Sequence, residues 1–62
     1  MFIENLKRLI KEHGITEYRV AKDLDVHAST VHYWTHGRSE PTIPNIIKIA
    51  DYFEITTDEL LR

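Results

Sequence analysis

The segment TEYRVAKDLDVHASTVHYWTHG, residues 16–37, decides how this chain folds. In its first half, Val20, Ala21 and Leu24 recur at the three-to-four spacing of one buried helix face. Thr16 precedes them and belongs to the residue types that cap a helix N-terminus with a side-chain oxygen. This half therefore predicts a short helix of about two turns.

The second half repeats the helical spacing after an interruption at Asp25. Val31 and Trp34 fall on one face, which favours core packing for Trp34 over stacking on a base. Gly37 tolerates the positive φ that often ends a helix. We therefore expect a second short helix that begins near Ala28.

Two short helices joined by a tight turn are the sequence form of a helix-turn-helix. Ala21 is small where the two helices would cross closely, while Val31 and Trp34 would hold the second helix against the core. The opposite face of the second helix then points outward and is available for the major groove of DNA.

Helical signals continue on both sides of the segment. Upstream, apolar residues at helical spacing predict a helix over about residues 2–13, ended by Gly14. Downstream, Thr42 can cap a fourth helix that has Pro44 in its first turn. We expect the fourth helix to carry inward Ile43, Ile46, Ile47, Ala50 and Phe53.

A fifth, short helix is predicted at the end of the chain, capped by Thr56 or Thr57. No strand pattern appears, so residues 1–62 are expected to form one compact, all-α, five-helix domain. Some apolar residues exceed what so small a core needs and could form a dimer patch: Ile3, Ile10, Ile49 and Leu61.

The composition and charge of the chain bear on how it is stabilised, where it is located and whether it binds DNA. The chain has 62 residues and no cysteine, so neither disulfides nor thiolate zinc sites can staple it. Charges interrupt the apolar residues of MFIENLKRLIKEH, unlike in a secretory signal, and no apolar run approaches the roughly 18 residues of a membrane span, so we expect a cytoplasmic protein. The formal net charge of −2 argues weakly against DNA binding, because the distribution of charge matters more than its sum.

Three stretches resemble the phage Cro and lambda-repressor type of helix-turn-helix domain, the xenobiotic-response-element family. They are HGITEYRVAKDLDV, STVHYWTHGRSEPT and IIKIADYFEITTDEL. The resemblance covers about residues 2–61 and implies a compact lambda-repressor-like fold. It also implies a transcriptional regulator, most simply a repressor, that reads double-stranded DNA in the major groove. Such domains bind palindromic or pseudo-palindromic operators as homodimers.

The resemblance also assigns residues to the DNA. The side chains expected to face base edges are Ala28, Ser29, His32 and Tyr33. The residues expected at the sugar-phosphate backbone are Thr16, Arg19, Thr30, Arg38, Thr42 and Asn45.

Three departures from the family pattern stand out. Asp25 replaces a glycine in the turn, and aspartate enters the left-handed region at modest cost. Glu17 stands where many members have a glutamine that helps to grip phosphate, and a carboxylate there would repel phosphate. Ala28 and Tyr33 replace long polar side chains, which shifts base readout toward apolar and hydroxyl contacts.

Alternative functions have weaker support. His32 and His36 have the i, i+4 spacing of two metal ligands, and His27 is less well placed, but no third ligand is evident. We therefore expect no metal site and no cofactor. The carboxylates fit capping and ion pairing, and no nucleophile has a base at useful spacing, so catalysis is not expected. The remaining rival is a protein-interaction module on the same fold, with the outward face bound to a protein.

Overall fold

A computed structural model describes all residues, 1–62, as five α-helices with no strand. The helices are α1 Phe2–Glu12, α2 Glu17–Leu24, α3 Ala28–Thr35, α4 Ile43–Tyr52 and α5 Thr57–Leu61. The predicted all-α, five-helix architecture is therefore confirmed. None of these helices combines the length and apolar character that crossing a membrane requires.

Threonine side chains begin three of the helices. The Thr16 hydroxyl oxygen accepts a hydrogen bond from the Arg19 amide at 3.1 Å, as predicted for the start of α2. Thr42 caps α4 in the same way. At α5 the cap is Thr56, whose hydroxyl and amide both bond with Glu59 in a reciprocal capping box.

The turn between α2 and α3 depends on Asp25, which adopts a left-handed conformation with φ 59° and ψ 45°. Its amide donates to the Lys22 carbonyl, and the next amide, of Val26, donates to the Ala21 carbonyl. These two bonds satisfy carbonyls at the end of α2, in the manner of a left-handed cap. Asp25 thus forms the tight turn in the left-handed conformation, as expected from the sequence although the residue is not glycine.

The core lies where α2 and α3 cross and is closed by α1, α4 and α5. Its members are Leu6, Leu9, Ile10, Val20, Ala21, Leu24, Val31, Trp34, Ile49, Ala50, Phe53 and Leu60. Trp34 is only 2% exposed, and it is the largest of the fully buried side chains. The assignment of Trp34 to the core is confirmed.

The stripe predicted for α4 is wrong in part. Ile43 is 73% exposed and Ile47 is 47% exposed, whereas Ile49 is fully buried. The residues that turn inward are Ile46, in part, and then Ile49, Ala50 and Phe53, which follow the i, i+3, i+4, i+7 spacing of one helix face. Of the apolar residues that we expected to exceed the needs of the core, Ile10 and Ile49 belong to the core and Leu61 is exposed.

Asn5 is a buried polar residue that the apolar pattern does not reveal. Its side-chain amide donates to the Leu60 carbonyl at 2.8 Å and to the Glu59 carbonyl at 3.2 Å. These bonds tie α1 to α5 and give the buried amide its partners. No buried side-chain nitrogen or oxygen is left without a partner.

Replacing Trp34 with alanine is expected to lower the free energy of unfolding by about 3–5 kcal/mol, because the change opens a cavity at the crossing of α2 and α3. Urea unfolding followed by circular dichroism measures this loss. The neighbouring Tyr33→Ala, at an exposed position, should change stability by roughly 0.5 kcal/mol or less. A Trp34→Ala variant as stable as the parent protein would contradict the core assignment.

Candidate nucleic-acid interface

The outward face of α3 carries the four residues predicted to meet DNA bases. Ala28, Ser29, His32 and Tyr33 are all exposed. They form two i, i+4 pairs, so they share one side of the helix, opposite the buried Val31 and Trp34. The fold thus brings the predicted base-contact residues together on one accessible surface.

The loop after α3 folds back onto this surface. The Arg38 amide donates to the Tyr33 carbonyl at 2.9 Å. The Arg38 guanidinium carbon lies 5.9 Å from the centre of the Tyr33 ring, within the range of a cation–π contact. Arg38 is exposed, so a positive charge borders the outward face of α3.

The predicted backbone-contact residues are more dispersed. Thr16 and Thr42 begin α2 and α4, where the positive end of each helix dipole favours an anion. Asn45 and Thr30 are only partly exposed. No side-chain hydrogen bond or ion pair joins Thr42 or Asn45 to α3.

Arg19 is already paired within the protein. Its Nε atom lies 2.9 Å from the Asp23 carboxylate, and the Tyr52 hydroxyl donates to the same carboxylate oxygen. The Tyr52 hydrogen bond, then the Arg19 hydrogen bond, lowers the pKa of Asp23. The Asp23 hydrogen bond raises the pKa of Tyr52 and of Arg19. Only the part of the Arg19 guanidinium that Asp23 leaves free is available to an anion.

Glu17 joins the start of α2 to α3. One carboxylate oxygen lies 3.0 Å from His32 Nδ1, and the other accepts a hydrogen bond from the Thr35 hydroxyl. The pKa of Glu17 is lowered, chiefly by the hydrogen bond from Thr35. Partial burial raises this pKa, and the hydrogen bond with His32 lowers it further. The Glu17 carboxylate thus holds the start of α2 against α3.

His36 packs against His32 at the end of α3, with ring centres 3.9 Å apart. His36 Nδ1 lies 2.8 Å from the His32 carbonyl, which can only accept, so Nδ1 carries the proton. Ligand atoms of Glu17, His32 and His36 all lie within 4.8 Å of one another. Sequence spacing identified the two histidines but missed Glu17, because only the crossing of α2 and α3 brings it to them.

Comparison with known proteins places this geometry among regulators of transcription. Residues 6–60 match the helix-turn-helix family HTH_3, which confirms the resemblance predicted from the sequence. The chain is similar to the HTH-type transcriptional activator BcrR of Enterococcus faecalis, with 30% identity over 60 residues. Its structure is similar to that of a transcriptional regulator from Listeria innocua, with a TM-score of 0.91 and 43% identity.

Both matches cover 97% of this chain but a smaller part of the relative. The chain spans 29% of the length of the activator and 56% of the solved regulator chain. Both relatives are named for control of transcription, and neither is named as an enzyme.

Replacing Tyr52 with phenylalanine is expected to raise the pKa of Asp23 toward its ordinary value, because it removes the largest cause of the lowering. Arg19→Gln should also raise it, since the hydrogen bond and the positive charge of Arg19 both lower the pKa of Asp23. The measurement is an NMR titration of the Asp23 carboxyl carbon. An unchanged pKa in Tyr52→Phe would show that the hydroxyl does not bond to Asp23.

The same bonds give an expected stability profile. The pKa of Asp23 is lowered in the folded protein, so its stabilising contribution is present above the unfolded value near 3.9 and is lost as pH falls through the folded value. The decrease in unfolding free energy on acidification below about pH 5 should therefore be smaller in Tyr52→Phe than in the parent protein. Urea unfolding across that acid range measures the difference.

Proposed function

Because the chain belongs to the helix-turn-helix family HTH_3, we propose that it is the sequence-specific double-stranded DNA-binding domain of a transcriptional repressor. The observation that carries the proposal is the exposed face of α3, which presents small and hydrogen-bonding side chains beside the positive charge of Arg38. An α-helix of this kind fits the major groove of B-DNA.

The four side chains on this face offer different contacts to bases. Ala28 can contact a thymine methyl group, and Ser29 can donate to or accept from any base. His32 donates through Nδ1 to Glu17, which leaves Nε2 as a hydrogen-bond acceptor in the neutral ring. Tyr33 carries a hydroxyl that can donate to a purine N7 or to a phosphate.

Contacts to the sugar-phosphate backbone would position α3 in the groove. Arg38 supplies a charge next to the reading face, and the N-termini of α2 and α4 at Thr16 and Thr42 supply amides and dipoles. Thr30, Arg19 and Asn45 would add weaker contacts, Arg19 because it is shared with Asp23. Among these proposed contact residues Arg38 is the one cation without an ion pair, so affinity would depend on base contacts more than on charge.

We further propose that two copies bind one palindromic or pseudo-palindromic operator. A single α3 reads only a few base pairs, and a homodimer places two such helices about one helical turn, roughly 34 Å, apart. The exposed apolar side chains of Ile43, Ile47 and Leu61 provide surface that a second copy could cover.

This function needs no catalytic group or cofactor and places the protein in the cytoplasm with the DNA. Repression follows most simply from occupation of a promoter by a domain that only binds DNA. Since the similar protein of Enterococcus faecalis is named an activator, a reporter gene with the recovered site determines the direction of regulation.

The decisive experiment is the enrichment of random duplexes by the purified protein. Recovery of a palindromic site, with weak and salt-sensitive retention on random DNA at low salt, is the expected result. Failure to retain any duplex at low salt would overturn the proposal and would favour the rival protein-interaction module, which the net charge of −2 suits.

Tyr33→Ala is expected to weaken binding at the preferred site by about 1–3 kcal/mol and to leave binding to random duplex almost unchanged. The reason is that the substitution removes a contact between the Tyr33 side chain and the edge of a base. Fluorescence anisotropy with both duplexes measures the two affinities, and His32→Ala should behave alike. Equal losses on both duplexes would show that Tyr33 contacts the backbone only.

Arg38→Ala is expected to weaken binding to all duplexes alike and to reduce the slope of log affinity against log salt by about one unit, because one phosphate contact is lost. Arg62→Ala is the matched control, since this exposed arginine pairs with Asp58 of α5 and is not among the proposed contact residues. A salt slope unchanged by Arg38→Ala would contradict the phosphate contact.

A further inference from the structure

Glu17, His32 and His36 form a cluster of metal-ligand side chains on the surface beside the reading face of α3. The ligand atoms of the three side chains lie within 4.8 Å of one another. His32 is about half exposed and His36 is exposed, so a hydrated ion can reach them. Two imidazoles and one carboxylate are a known ligand set for zinc, with water as the fourth ligand.

Two of the three donor atoms have a spacing close to what a small divalent ion needs. His32 Nδ1 and the nearer Glu17 oxygen are 3.0 Å apart. Two ligands on a tetrahedral zinc ion, with bonds of about 2.0–2.1 Å, are separated by about 3.3 Å. An ion could therefore take the place of the proton that Nδ1 shares with the carboxylate, with little movement of either side chain.

Further hydrogen bonds orient two of the three ligands. The Thr35 hydroxyl donates to the Glu17 oxygen that does not face His32, and Thr35 is itself buried. His36 Nδ1 donates to the His32 carbonyl, which leaves the lone pair of His36 on Nε2. Metal-binding histidines characteristically donate their second ring nitrogen to a carbonyl or carboxylate in this way.

We propose that Glu17, His32 and His36 form a binding site for a divalent transition-metal ion of the zinc type. The expected absence of a metal site rested on the lack of a third ligand, and Glu17 is that ligand. His32 binds through Nδ1 with its proton on Nε2, and His36 binds through Nε2. Mg²⁺ and Ca²⁺ prefer sets of oxygen ligands, so they do not compete at this site.

Metal binding would change what α3 offers to DNA, a consequence that rests on the proposed function. Without metal, Nε2 of His32 accepts hydrogen bonds, whereas with metal on Nδ1 it carries the proton and donates. A donor suits guanine N7 and O6, and an acceptor suits the amino group of cytosine or adenine. The ion also replaces the net negative charge of the cluster with a net positive one, next to the approaching phosphates.

The test of the site uses the full chain and Zn²⁺ alone, without DNA. Isothermal titration calorimetry should show one Zn²⁺ per chain, and millimolar Mg²⁺ should not displace it. In NMR spectra of the imidazole nitrogens, Zn²⁺ should shift His32 Nδ1 and His36 Nε2 and leave His13 and His27 unchanged. Shifts of all four histidines alike, or no saturable binding, would overturn the proposal.

Substitutions separate this site from general surface binding. Glu17→Gln, His32→Gln and His36→Gln should each weaken Zn²⁺ binding by about tenfold or more, because the loss of an outer-shell partner alone costs 10–100-fold. His27→Gln is the matched control at the start of α3 and should bind as the parent protein does. An unchanged affinity in His36→Gln would overturn the three-ligand site.

Circular dichroism without metal shows whether each variant is folded, and the NMR shifts of the parent protein stand independently of the variants.

Enrichment of random duplexes with and without Zn²⁺ then tests the consequence for DNA. A changed base preference at one position per half-site supports an effect of the metal on DNA recognition. The same preference in both conditions overturns that effect and leaves the metal site itself intact. Loss of all duplex binding with intact Zn²⁺ binding would contradict the proposed function and not the metal site.

Discussion

The burial of Trp34 is the constraint on which the rest of the molecule depends. Trp34 and Val31 are almost completely enclosed, so α3 has only one rotation about its axis that satisfies the core. Because a helix has about 3.6 residues per turn, fixing these two positions also fixes which residues face solvent. The exposure of Ala28, Ser29, His32 and Tyr33 is thus a consequence of core packing, and no separate feature of the outward face has to specify it.

Hydrogen bonds of two acidic side chains also join α2 to its neighbouring helices. Two carboxylates of α2, those of Glu17 and Asp23, bond to α3 and α4 respectively, through partners far away in the sequence. Such exposed pairs add little to stability individually. Their greater effect is on charge, because hydrogen-bond donors of the protein engage both carboxylates. In a chain with net charge −2, these two acids of α2 are thus directed to protein partners beside the proposed recognition face.

The sequence predicted the features that depend on neighbouring residues and missed those that depend on the fold. The cap at Thr16, the left-handed turn at Asp25 and the core position of Trp34 are local or periodic signals, and all three are present. The α4 stripe was misassigned because isoleucine occurs on both faces of that helix, so that hydrophobicity alone does not fix its rotation. The family resemblance placed the reading face on α3, but it could not place the partners of Asp23 and Asn5.

Glu17 shows why residues of a functional surface are harder to predict than those of a core. Its local role, an acid in the first turn of a helix, is satisfied by the dipole of α2 and explains its presence without any further partner. The same position lies where α2 crosses α3, and there the carboxylate meets His32 and the Thr35 hydroxyl. By accepting from Nδ1, Glu17 holds the proton of the neutral imidazole there and leaves Nε2 of His32 as the hydrogen-bond acceptor on the proposed reading face.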